Sequence, residues 1–162
     1  MLPFDGLKND AAPTEKFETA YGITQYTWAE ALRRGVIQNK PISEATLVDA
    51  KVILKAMFYG AIRCGEMPAG CDLMVFNHAM ACGVHMGAVA AQNVAGVYVD
   101  GQVGTATLAA IRAKGAKAFI DGMAALDEAY YARLANAPTY LRGWDRREEV
   151  ARTTAYKMAG VA

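Results

Sequence analysis

The chain has 162 residues, 54% of them hydrophobic and 20% charged, enough for a real core without metal or disulfide staples and too apolar for general disorder. Seventeen Lys and Arg against sixteen Asp and Glu leave a formal net charge of +1. That balance argues against a nucleic-acid binder driven by phosphate neutralisation and against a polybasic membrane anchor.

Residues 1–24 carry the turn formers Pro3, Gly6, Asn9, Asp10 and Pro13 with no apolar period. They read as an irregular N-terminal arm anchored by Phe4, Phe17 and Tyr21. No basic stretch followed by an apolar run opens the sequence, so no secretory signal is expected. No segment reaches the roughly 18 apolar residues of a spanning helix. Residues 25–162 read as one helical domain. Thr27 and Glu30 fit a capping box for a helix ending near Gly35. Ser43 is expected to cap a longer helix through Leu47, Ile53, Met57 and Ile62, stopping around Cys64. After a turn at 67–70, Leu73, Val75, Phe76, Ala79 and Met80 make a helix apolar nearly all round, the pattern of a central buried element. Gly83 breaks it, and a small-residue helix follows over 86–94. Val97 to Gly101 is β-like with an Asp-Gly turn. Thr105 then caps a helix to Lys114, a long amphipathic helix runs over 116–134, Pro138 breaks it, and 146–158 forms the last. The expected fold class is mainly α, with at most one short β-hairpin.

Ser43, the single serine, suits a helix cap, and no nucleophile elbow, Walker loop or GxGxxG is present. His78 on an apolar helix reads as a satisfied core histidine. His85 three residues from Cys82 across a glycine gives no dyad. Cys64, Cys71 and Cys82 make an odd count with no CxxC, so no metal site is expected, and no cofactor. Cys64 and Cys71 flank a short turn and are expected as free thiols able to oxidise later; Cys82 is expected to be buried and unreactive. Tyr130, Tyr131, Tyr140 and Trp144 are expected to brace the last two helices, with sugar stacking as the rival role. The remaining chemistry is carboxylic. Asp5, Asp10, Glu15 and Glu18 share the N-terminal stretch, and glycosidic hydrolysis needs one acid that keeps its proton plus a second group to assist attack.

Glu18-Thr19-Ala20-Tyr21-Gly22-Ile23-Thr24 resembles the Glu-Thr-x-Tyr-Gly-Ile-Thr segment of glycoside hydrolase family 108, lysozyme-like muramidases. The stretch from Arg63 to Asp72 resembles that family's turn before its central helix. Gly96 to Leu108 resembles Gly-Val-x-x-Asp-Gly-x-x-Gly-Pro-x-Thr-Leu of its C-terminal peptidoglycan-binding-type region, placed here at about 84–162. Tyr130-Tyr131-x-x-Leu134, Pro138-Thr139-Tyr140 and Gly143-Trp144-x-x-Arg147 complete the series. The resemblance implies a lysozyme-like helical fold. It also implies catalytic candidates Asp5 and Glu18, and substrate-binding candidates Thr19, Tyr21, Thr24, Asp72 and Asn77.

The departures from the family pattern cluster at polar positions. Its Glu-Gly-Gly-Tyr falls on Asp5-Gly6-Leu7-Lys8, preceded by only four residues, and Asp is one methylene shorter than Glu. Its Asp-Pro-Gly-Gly falls on Thr14-Glu15-Lys16-Phe17. An Asp common on its central helix reads Asn77, and the Asn of its Val-Asn-x-Gly reads Ala81. The expectation is a degenerate muramidase-like protein, serving in a phage virion or tail or as a cell-wall-binding part. The alternative is an active N-acetylmuramidase, an endolysin with a relocated Glu15 or Glu18 acid. Expected partners are peptidoglycan or other virion proteins, or further copies of the chain docked through the N-terminal arm. The expected location is the virion, or the host cytoplasm before release.

Overall fold

Tyr21 and Gly22 both adopt left-handed backbone, φ 52° and 77°, the conformation a two-residue hairpin turn demands. They join β1 (Thr19–Ala20) to β2 (Ile23–Thr24), antiparallel, with Thr19 opposite Thr24 and Ala20 opposite Ile23. The computed structural model describes residues 19–133 and 137–161. Asp5, Glu18 and the expected arm up to residue 18 lie outside the described residues, as do the side chains of Tyr140 and Trp144. The hairpin therefore falls inside the family-like segment. It does not fall at Val97 to Gly101, where Gln92 holds the backbone in a turn.

The described chain divides after Tyr59 into two compact units. In the first, α1 (Gln25–Arg33) is capped by Thr24, whose Oγ1 accepts from the Thr27 N–H at 3.3 Å. The cap thus lies three residues before the expected Thr27. Glu30 does not reach back, because Arg33 and Arg34 both hold its carboxylate. Trp28 is buried and donates its indole N–H to the Lys40 carbonyl at 3.1 Å. Ser43 sits in a single 3-10 turn, Ile42–Glu44. The cap of α2 (Leu47–Leu54) is Thr46, in a reciprocal capping box with Asp49. A π-helical turn, Lys55–Tyr59, prolongs α2 and closes the unit.

The second unit is built on α3 (Cys71–Cys82) and α4 (Val84–Ala95), followed by α5 (Thr105–Lys114), α6 (Ala116–Tyr131) and α7 (Ala137–Ala159). Pro138 does not break a helix but lies in the first turn of α7, where its missing N–H has no helical partner to lose. Helix α3 is central, packed against α4, α6 and α7. Its entry depends on Gly70, at φ +85°, where a Cβ would lie 2.3 Å from the Ala155 carbonyl oxygen of α7. Gly87 lets α4 approach α3, a Cβ there lying 2.7 Å from that of Ala79. The core runs through Met74, Val75, Ala79, Ile111, Phe119, Ile120, Met123, Ala151 and Ala155, each buried.

Candidate functional site

The hairpin gathers Thr19, Tyr21 and Thr24. Thr24 is spent on the α1 cap, Thr19 pairs across the ladder from it, and half-buried Tyr21 occupies the left-handed turn. Asp72 and Asn77 lie in the other unit, on α3. Asp72 accepts from the Gly70 N–H at 2.8 Å and so fixes the turn into α3. Asn77, expected among substrate-binding groups, is only 2% exposed and donates its amide to Glu148 Oε2 at 2.9 Å. It faces the interior, because the positions around it on α3 are covered by α6 and α7.

That amide opens a chain of buried polar groups. Glu148 and Asp127 are both buried, and among the described residues neither Glu148 Oε1 nor Asp127 Oδ2 has a further donor in reach. Burial, followed by the charge and hydrogen bond of Asp127, pushes the Glu148 carboxyl up from 4.5 to about 8, against Arg147. A proton on Glu148, donated to Asp127, satisfies both oxygens at once. Asp127 Oδ1 meets His78 Nδ1. His78 is pushed up from 6.5 to about 9: burial opposes its charge, but hydrogen bonds to Asp127 and Cys82 outweigh it. Tyr131 closes the cluster, its hydroxyl accepting from Arg147 at 2.6 Å, with Tyr130 edge-on to both Tyr131 and His78. Tyr131 thus braces α6 against α7, as expected, and His78 is the satisfied core histidine expected.

The cysteines divide differently from expectation. Cys64 and Cys71 are fully buried free thiols, pushed by burial up to about 12 and about 11. Cys82 was expected to be the buried one, yet it is partly exposed. It is the last residue of α3, where Gly83 turns the chain at φ +92° and the cover of the neighbouring helices ends.

A second organised feature lies between α4 and α5. The side chain of Gln92, 2% exposed, donates to Asp100 Oδ1 at 2.7 Å and to the Gln102 carbonyl at 2.9 Å. Its carbonyl accepts from the N–H groups of Asp100 and Gly101 at 3.1 and 2.8 Å. One buried amide thereby fixes the turn at residues 100–102, and Tyr98, two residues before it, is 86% exposed. Sequence reasoning missed Gln92, Asp127 and Glu148. Each was visible as a polar residue on an otherwise apolar helical stripe.

Among the described residues no group of three His, Cys, Asp or Glu is arranged to hold a metal ion, and no helix is long and apolar enough to cross a membrane. Compared with known proteins, residues 7–83 match the family profile of glycosyl hydrolase 108, and residues 86–149 match a predicted peptidoglycan domain. A search of curated proteins finds no match. Among solved structures the chain is similar to the structure of Brucella abortus SagA, with a TM-score of 0.83 and 25% identity, over 96% of this chain and 89% of that one. The match carries the mainly α, lysozyme-like fold with its two-stranded hairpin. The two segments follow one another in that order, the first similar to glycosyl hydrolase 108 and the second to a predicted peptidoglycan domain.

Proposed function

We propose that this protein binds peptidoglycan through its C-terminal unit and has weak or no muramidase activity. The observation that carries the reading is the Gln92-held turn: it lies within the matched peptidoglycan domain, and Tyr98, two residues before it, stands almost fully in solvent. An exposed aromatic face suits stacking on a sugar ring, and a preorganised turn beside it lowers the entropy lost on binding. The loss of hydrolysis rests on the resemblance: Asp5 stands where the family has its catalytic Glu, and Thr14-Glu15-Lys16-Phe17 replaces its Asp-Pro-Gly-Gly. A binding part without strong lysis suits a phage particle or tail, which must hold a cell wall before opening it.

The second reading is an active muramidase in which Glu15 or Glu18 replaces the acid, and the match of residues 7–83 to the hydrolase profile favours it. Co-sedimentation with purified sacculi tests the first. The wild-type chain pellets with them, and Tyr98→Ala weakens binding about tenfold, the scale set by one lost aromatic stack. Unchanged binding by the variant removes Tyr98 from the interface.

A further inference from the structure

His85 is the second residue of α4, and its imidazole rests on the Gln92-held turn. A Cβ on Gly101 would fall 2.1 Å from His85 Cε1 and 2.4 Å from Nδ1, so the ring occupies space that only glycine leaves open. His85 lies one residue before the segment matched to the peptidoglycan domain, and the fold brings it onto that segment's turn. Asp100, beside Gly101, accepts at Oδ1 from the Gln92 amide at 2.7 Å and from the Gln102 N–H at 2.8 Å. Those two bonds, the amide first, hold its carboxyl below the usual carboxylate range. Its Oδ2 takes no bond from the described residues, and neither the His85 ring nor the Tyr98 hydroxyl has a hydrogen-bond partner among them. His85, Tyr98 and Asp100 are all exposed. Tyr98 stands three residue steps before Gly101, at most about 11 Å along the chain.

An ionised carboxylate accepts hydrogen bonds and donates none. It therefore suits hydroxyl and amide N–H donors and repels a ligand's own carboxylates. Peptidoglycan offers two surfaces. Its glycan strand is neutral, with hydroxyls and N-acetyl groups, whereas its peptide stems carry free carboxylates. The charge of Asp100 favours the glycan, and so does an aromatic face free to meet the apolar side of a sugar ring.

Resting on the reading that this unit binds peptidoglycan, we propose that the part bound is the glycan strand. An N-acetylhexosamine stacks on Tyr98, and hydroxyls of the strand bond to Asp100 Oδ2 and to the His85 imidazole. His85 and Asp100 thereby determine specificity, and the peptide stem is left outside. Because Gln92 fixes Asp100 beforehand, the carboxylate meets its donors without first being ordered.

The experiment uses the full chain. Sacculi are digested with an amidase, and the released glycan strands and stem peptides are separated. Each is then added as a competitor when the chain is sedimented with intact sacculi. The strands are expected to keep the chain in the supernatant, and the stem peptides to leave it in the pellet. Calorimetric titration with the strands reads the side chains. His85→Ala, which leaves every Gln92 bond in place, is expected to weaken strand affinity about fivefold. Asp100→Asn, which keeps an oxygen for the turn, is expected to weaken it about tenfold, the larger loss being that of a charged acceptor. Release by stem peptides and not by strands overturns this inference and leaves the reading of peptidoglycan binding in place. Unchanged strand affinity in both variants does the same. A wild-type chain that fails to pellet with intact sacculi overturns that reading and this inference together.

Discussion

His78 on α3 and Asp127 on α6 are joined, Nδ1 to Oδ1, where both side chains are shut off from solvent. A buried histidine given such a partner gains charge on folding, and the stability of the chain acquires a pH dependence from it. The folded value of His78, about 9, exceeds its ordinary 6.5. Its contribution is complete below the lower value and is lost as pH rises through the higher. Glu148, raised from 4.5 to about 8, retains in the folded chain a proton that the unfolded chain releases, so its ionisation also destabilises as pH rises. The two act in the same direction. The thermal midpoint is expected to fall by about 5 °C between pH 6 and pH 9. Calorimetry across that range checks it, and a midpoint that rises with pH contradicts the arrangement.

Asn77→Asp brings a third carboxyl beside Glu148 and Asp127, with the amide donor to Glu148 removed. The expected cost is about 2–4 kcal/mol in denaturant unfolding at neutral pH, shrinking as the pH is lowered. A neutral effect at pH 7 means Asn77 is not the interior group described.

Two glycines with left-handed backbone separate strain from collision. Gly70→Ala drives a Cβ to 2.3 Å from the Ala155 carbonyl oxygen, which belongs to helix backbone and cannot step aside. Gly101→Ala meets the His85 ring at 2.1 Å, but that ring ends an exposed side chain able to turn away. Gly101→Ala is expected to cost about 1 kcal/mol, from backbone strain alone, and Gly70→Ala about 3 kcal/mol or more. Equal losses in urea unfolding count against the close approach of α7 to Gly70.

Much of this architecture was legible in the sequence. The central helix, its stop at Gly83 and the small-residue α4 followed from apolar spacing and glycine, because burial on all sides leaves a pattern that nothing else does. Caps were read one candidate off: Thr24 and Thr46 beat Thr27 and Ser43, since hydroxyls within a few residues compete and only the backbone geometry chooses. The β-like residues at Val97 to Val99 pair with no strand among the described residues, and the chain turns directly after them, where Gln92 takes up donors and acceptors of residues 100–102. The pairing of Asn77 with Glu148 crosses 71 residues. No local pattern carries such a contact, although Glu148 one turn before buried Ala151 and Asp127 one turn after buried Met123 marked both as interior acids.

Gln92→Leu removes a buried amide that bonds Asp100, Gly101 and Gln102. The expected loss is about 2–3 kcal/mol, because the backbone groups of the turn are left to water or unpaired. Tyr98→Ala, at a side chain 86% exposed, is expected to change stability by less than about 0.5 kcal/mol. Both variants are expected to bind sacculi more weakly, and for different reasons: one loses the shape of the turn, the other its aromatic face. Wild-type binding by Gln92→Leu at a temperature where it is folded argues against preorganisation.

The most direct measurement follows binding and cleavage together on one sample of purified sacculi: the fraction of chain pelleted, and the reducing ends released into the supernatant. The account predicts that the chain pellets while reducing ends stay near the level without protein. Rapid release abolished by Glu15→Gln or Glu18→Gln, or failure of the chain to pellet, contradicts it.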